Sequence, residues 1–323
     1  MVKRKSPIKT FLFYFAIFSL VIFVVYPFAW MLSVSFRYDS DAFDSGIIPK
    51  RPTVNAYMEL LGLKESIRDE LSNEEKQLLD LIKDLPEEQQ KPVLERIYSQ
   101  RKKEAFPFLR FFLNSLLIAG LSSLVSVIIS VFGAYAFSRI DFPGRGGVQK
   151  SVLLVYLFGG TILAVPLYQI FVKIGMTGSG SKGLISLFVI YLVQTLPVSL
   201  YMLGNYFRTI PETIEEAAII DGSSRLGVIT KIIIPLSLPA IITVFIYAFM
   251  IGWNEYLFAS IFIRPYPQFY TLPVGLNEIF YSDHAIWTKM MAASVMTSIP
   301  VIILFMTMEK YLVGGLTAGG VKE

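Results

Sequence analysis

The chain has 323 residues, of which 54% are hydrophobic and 17% charged, with a mean hydropathy of +0.57; an ordinary soluble domain carries about 25% charged residues, so this is the composition of a membrane protein. It has no cysteine and a single histidine, His284, which excludes a disulfide framework, thiol chemistry and a histidine-rich metal site. The net charge of +4 comes with no basic stripe interleaved with aromatics, which excludes nucleic-acid binding and leaves the charge to speak to topology.

A bilayer core takes about 20 apolar residues in a helix. Runs of that kind lie at 11–34, 111–137, 151–173, 184–204, 236–262 and 290–312, which predicts an all-α, six-span polytopic fold. The first run follows "KRK" but is too long for a signal h-region and precedes no small-residue cleavage site, so it reads as a retained span. Lys3, Arg4, Lys5 and Lys9 place residues 1–10 in the cytoplasm. The loop "SRIDFPGRGGVQK", with Arg139, Arg145 and Lys150, then falls inside, as do the segment 205–235 and the C-terminal tail 313–323. Pro27, Pro166, Pro197 and Pro300 fall within the runs, where a kink serves either packing or a bundle that moves.

Residues 62–105 interrupt the pattern as a charged, extracytoplasmic helical insert. Ser72 and Glu75 read as a capping box ahead of a stripe of Leu78, Leu81, Ile82 and Leu85. Pro86 and Pro92 separate it from a second stripe of Val93, Leu94, Ile97 and Tyr98. Two roles fit the insert: contact with an external partner, or padding at the mouth of a pathway. Further on, "GMTGSGSKG" (175–183) has a P-loop flavour but fails the G-x-x-x-x-G-K-[ST] spacing, so no nucleotide site is read in this chain.

The stretch "TIEEAAIIDGSSRLGVITKIIIPLSLPAI" joins the fourth and fifth runs. Thr209 and Glu212 predict a capping box opening a short helix. Ile214, Ala217, Ala218 and Asp221 follow helical spacing, and Asp221-Gly222 predicts a left-handed stop. Ser223 is then the expected cap of a second short helix, and Pro235 and Pro239 mark entry to the fifth span. This is the pattern of a docking knob that presents Glu215, Glu216 and small residues.

Asn254 and Glu255 form a polar pair expected within the fifth span beside Trp253. Either they line a substrate path or they hydrogen-bond between helices. Tyr156, Tyr168, Tyr191 and Tyr256 are equally suited to stack on sugar rings or to sit at a membrane interface. No clustered acids of the sort a membrane-embedded transferase needs occur in the runs.

The motif E-A-A-x-x-x-G, filled by Glu216, Ala217, Ala218 and Gly222 and closed by Ile234, Pro235 and Pro239, resembles the EAA loop of ABC-importer permeases. "NSLLIAG…GAYAFSRIDFPGR", "RPYPQFYTLPVGL", "MMAASVMTSIPVIILF" and the ending "KYLVGGLTAGGVKE" are similar to its carbohydrate, maltose-type branch. The resemblance implies the type I ABC-importer permease fold over 11–312, sugar import by alternating access, and no catalytic residue or metal in this chain. ATP and Mg would sit on a partner ATPase. The partners it implies are a second, MalF-like permease subunit, two MalK-like ATPase subunits and an extracytoplasmic sugar-binding protein. Glu215, Glu216, Ala217, Ala218, Asp221 and Gly222 would seat the ATPase, and the glycine-rich tail with Gly315, Thr317, Gly319 and Gly320 would reach it, unless that tail is only a disordered end. Trp253, Asn254 and Glu255 are the candidates for the substrate path. The insert at 62–105 has no clear counterpart in that family. An ATP-independent carrier is the rival reading.

Overall fold

The computed structural model describes residues 7–64, 73–83, 86, 90–94, 106–157, 160–280 and 287–318. Every regular element among them is helical. Beside the helical residues 90–94, its α-helices of four residues or more are, in chain order, α1 (Pro7–Ser35), α2 (Asn55–Leu60), α3 (Asn73–Ile82), α4 (Phe108–Arg139), α5 (Arg145–Leu157), α6 (Gly160–Lys173), α7 (Gly180–Phe207), α8 (Glu212–Ile220), α9 (Arg225–Val228), α10 (Leu238–Trp253), α11 (Leu257–Ile263), α12 (Leu272–Phe280) and α13 (Trp287–Ala318).

Four helices, α1, α4, α7 and α13, are long and apolar enough to cross a membrane whole. Their 28 to 32 residues rise about 42–48 Å at 1.5 Å each, more than a hydrocarbon core of about 30 Å. The other two expected spans are not single rods. The run 151–173 is divided between α5 and α6, and α6 has only 14 residues. The run 236–262 ends as a helix at Trp253, and the approach from Arg225–Leu236 meets α10 at 81°, so this stretch is one broken span at most. Hydropathy missed both breaks because apolar residues lie on either side of each. The second break is polar: Asn254 turns its amide back onto the Met250 carbonyl at 2.9 Å, and the Glu255 carboxylate accepts the Phe258 and Ala259 amides at the start of α11. Pro27, Pro166, Pro197 and Pro300 all lie inside helices.

The chain divides into two compact units. The first comprises residues 1–109 and 279–296. Here the exit of α1 is tied down by polar bonds. Arg37, 3% exposed, donates to Ser33 Oγ at 2.8 Å and to the Asp44 carbonyl at 2.6 Å, with its guanidinium 5.0 Å from the Trp30 ring centre. Glu59 on α2 pairs with Lys289 at 2.5 Å, and their side chains are only 18% and 8% exposed. Removing one partner of such a pair takes a close counter-charge from a buried group, at a cost of up to about 3–5 kcal/mol. Glu59→Ala is therefore expected to lower the melting temperature of the detergent-solubilised chain, followed by tryptophan fluorescence. The double change Glu59→Leu with Lys289→Met is expected to recover most of the loss. Of the expected insert, α3 forms and residues 90–94 are helical. Within its stripe Ile82 is buried while Leu78 and Leu81 are exposed. Ser72, Leu85, Ile97 and Tyr98 lie outside the described residues.

The second unit comprises residues 110–278 and 297–323. Between helices in lipid there is little hydrophobic driving force, so close packing and hydrogen bonds hold the bundle. Thr195 on α7 donates to Ser126 on α4 at 2.8 Å. Gly252 lets α10 approach α4, where an added Cβ would stand 3.2 Å from the Ala119 Cα. One buried cluster gathers Val127, Val131, Ala134 and Tyr135 of α4, Leu203 and Phe207 of α7, Val244 of α10, and Val228, Ile229 and Ile233. It lies directly beneath the segment that joins α7 to α10, and so gives that segment a firm seat.

The motif at 175–183 is structural. Ser179 Oγ accepts from the Lys182 amide to cap α7, and the Lys182 ammonium is held by the Gly175 carbonyl at 2.8 Å.

Candidate functional site

The segment between α7 and α10 carries the motif, and its helices start and stop for identifiable reasons. α8 opens at Glu212 with Pro211 as its cap residue, so the expected Thr209–Glu212 capping box does not form. Thr209 Oγ1 donates instead to the Tyr206 carbonyl at 2.7 Å, and the Glu212 carboxylate accepts from the Arg139 guanidinium at 3.2 Å. A full positive charge is a better donor to a carboxylate than a neutral amide. The stop is as expected. Gly222 takes φ +88°, its amide bonds to Ile219 O at 3.0 Å, and the Ser223 amide bonds to Ala218 O at 2.9 Å. These are the two bonds of a Schellman motif. The next cap is Ser224 and not Ser223: Ser224 Oγ accepts the Gly227 amide at 3.2 Å. α9 then runs through a π-helical turn, Ile229–Ile233, and on to Leu236 before the 81° bend.

The two glutamates part company. Glu216 is exposed with Ala217, Asp221 and Gly222, and Ala218 is half-buried. Glu215 is 6% exposed and turned inward, which corrects the expectation of a glutamate pair on view. Its carboxylate accepts from Arg139 Nε at 2.6 Å and from the Tyr135 hydroxyl at 3.0 Å. Consecutive helical residues stand about 100° apart, and of the two α8 turns Glu215 alone toward the bundle. The outer face also carries bare apolar side chains. Ile220 is 85% exposed and Leu226 60%, flanking the Gly222 turn, with Ile219 and Ile214 beside them.

Arg139 and Tyr135 were missed as site residues. The sequence presents Arg139 as a topological charge; the signal for a further role is an arginine closing a long apolar helix, where a guanidinium needs partners.

The other candidates fall elsewhere. Trp253 is 2% exposed, its ring packed 5.5 Å from Phe249 and 5.7 Å from Phe112, so it belongs to the core. Glu255 is committed to α11, accepting the Phe258 amide at 2.7 Å and the Ala259 amide at 2.9 Å, and Tyr191 donates to it at 3.2 Å. A carboxylate at a helix N-terminus is stabilised there by the free amides and the helix dipole. Asn254 is exposed at the break. Gly315 and Thr317 are part of α13, which continues to Ala318 past the expected end near Leu312; Gly319 and Gly320 lie outside the described residues. Among the described residues no cluster of acidic or histidine side chains that could hold a metal occurs.

Residues 145–317, more than half of the chain and including the whole of this segment, match the family described as "Binding-protein-dependent transport system inner membrane component". The chain belongs to that family. Among its relatives, the "Inner membrane ABC transporter permease protein YcjP" of Escherichia coli K12 is 46% identical over 217 residues, 67% of this chain and 76% of that one. The "Trehalose/maltose transport system permease protein MalG" of Thermococcus litoralis is 32% identical over 321 residues, 99% of each chain. A chain from the crystal structure of a bacterial ABC transporter involved in alginate import superposes with a TM-score of 0.71 at 19% identity, covering 96% of this chain and 99% of that one, a likeness of fold. The chain is thus a multi-pass inner-membrane transport component with an ABC-importer permease fold, of the MalG type. Membership of a binding-protein-dependent family sets aside the secondary-carrier and transferase readings.

Proposed function

We propose that this permease is one half of the membrane pathway of an ABC importer for maltose, maltodextrin, trehalose or a similar oligosaccharide. The observation that carries the reading is the outer face of 216–226. Three exposed apolar side chains, Ile219, Ile220 and Leu226, and the exposed carboxylate of Glu216 are displayed on a glycine-turned pair of short helices seated on a buried cluster. An exposed apolar surface on a rigid knob suits a partner cleft. That partner is a MalK-like ATPase, which would hold ATP and Mg. A MalF-like second permease and a sugar-binding protein complete the assembly. The Thermococcus litoralis relative, named for trehalose/maltose transport, supports the sugar class. Closure of the ATPase dimer would move the knob and rock the helices between inward- and outward-open states. The test is uptake of labelled maltose and trehalose into vesicles holding the assembled transporter. Uptake that needs internal ATP and the binding protein supports the reading. Uptake independent of both refutes it.

The topology belongs to the same proposal: six crossings, two of them broken, with both termini and the 205–235 segment cytoplasmic and the 62–105 insert outside. The chain has no cysteine of its own, which makes the test direct. Asp80→Cys is expected to react with an impermeant thiol reagent added outside spheroplasts, and Arg145→Cys is not. Reversed labelling would invert the orientation and remove the knob from the ATPase side.

A further inference from the structure

We propose that Arg139 is a positioning residue that makes α8 and α4 move as one body, transmitting the displacement of the docking segment into the membrane helices. The proposal rests on the reading of that segment as the ATPase seat.

α8 has a single buried residue, Glu215. The rest of its length is exposed apart from the half-buried Ala218, so little apolar packing grips it. Its hold on the bundle runs mainly through one carboxylate. Arg139, the last residue of α4, donates from Nε to Glu215 at 2.6 Å and from one terminal nitrogen to Glu212 at 3.2 Å. The other terminal nitrogen reaches the carbonyls of Phe207 at 2.8 Å and Ile210 at 2.6 Å, at and just beyond the end of α7. One planar fork therefore joins α4, the end of α7 and α8. Tyr135, one turn earlier on α4, donates to the second Glu215 oxygen at 3.0 Å, so α4 holds the carboxylate at both oxygens and leaves it little freedom to swivel. The side chains of Arg139 and Glu215 are each 7% exposed, which protects the pair from screening.

A surface helix pushed by a partner could rock on its flanking turns, at Pro211 and Gly222, without moving the bundle. A geometrically fixed, buried ion pair at its one inward residue prevents that. A lysine carries the charge but is a single point on a flexible stem, and it cannot reach two carboxylates and two carbonyls in one plane.

The experiment uses the full transporter with its ATPase and binding protein in vesicles, and reads sugar imported per ATP hydrolysed. Arg139→Lys and Glu215→Gln are expected to keep the ATPase bound and hydrolysing within about threefold of the unmodified transporter, while sugar per ATP falls by about tenfold or more. Glu212→Gln, on the exposed limb of the fork, is expected to stay within about twofold. An unchanged ratio in Arg139→Lys and Glu215→Gln overturns the joint. So does loss of the ATPase from both, since the pair would then serve assembly and not transmission. If the unmodified chain itself brings down no ATPase, the functional reading falls and the joint with it. If the unmodified transporter couples normally and the variants match it, only the joint falls.

Discussion

Replacing Gly222 by valine is expected to abolish sugar uptake while leaving the chain in the membrane. Gly222 sits at φ +88° with nothing within 4 Å of where a Cβ would stand, so the penalty is in the backbone and not in a clash with neighbours. An L-residue in that conformation costs about 1–2 kcal/mol, and a β-branched one more. A penalty of that size lowers the population of the turn roughly 5–30-fold. If the turn opens, the Ser223-to-Ala218 bond is lost and α9 no longer keeps its angle to α8. Ile220 and Leu226, which stand on either side of the turn, would then no longer form one surface. The prediction is graded. Asparagine, which tolerates the left-handed region, should retain the most uptake, alanine less and valine none. Labelled sugar uptake measures the series, and co-purification of the ATPase reports docking. Wild-type transport by Gly222→Val with the ATPase bound would mean the segment is only a connection.

That turn was legible in the sequence because Asp-Gly after a helical stripe carries a local, stereochemical signal. The long helices α1, α4, α7 and α13 were legible for a related reason: a bilayer demands unbroken apolar length, and their runs supply it. The two broken stretches were not. In 236–262 the run is apolar nearly throughout, and the decisive event is a two-residue polar interruption, Asn254-Glu255, whose capping role depends on the amides of Phe258 and Ala259 being free. The ion pair at Glu215 was out of reach for another reason. Its partner lies 76 positions earlier, and helical periodicity assigns a face to a residue but not a partner to a charge. Caps were misplaced by small amounts, Ser224 for Ser223 and Pro211 for Thr209, because serine and threonine offer competing local hydrogen bonds that sequence alone does not rank.

Ile220→Asp is expected to release the ATPase more completely than Glu216→Ala. Ile220 is the most exposed large apolar side chain on the segment, at 85%, so changing it removes little packing within the chain, and an aspartate in the last turn of α8 costs only about 0.3–1 kcal/mol against the helix dipole. Burying such a side chain in a partner cleft contributes about 1.5–3 kcal/mol. An aspartate in the same place loses that contribution and adds the desolvation of a charge, which is costly unless paired. The combined effect should weaken ATPase binding by about a hundredfold or more. Glu216 lies on the same outer face but at a helical angle that leaves its carboxylate in water. A charge-assisted bond from it to a basic group of the cleft is worth roughly 1.5–3 kcal/mol when fully formed, and less where water competes. The apolar contacts of Ile220 and Leu226 would survive its loss. Glu216→Ala is therefore expected to reduce uptake while the ATPase still co-purifies, whereas Ile220→Asp should remove both. Binding of sugar to the soluble partner should be untouched in either variant. Retention of the ATPase by Ile220→Asp at the unmodified level would mean that the apolar face of 214–226 is not the seat, and would shift the weight of docking to the carboxylate.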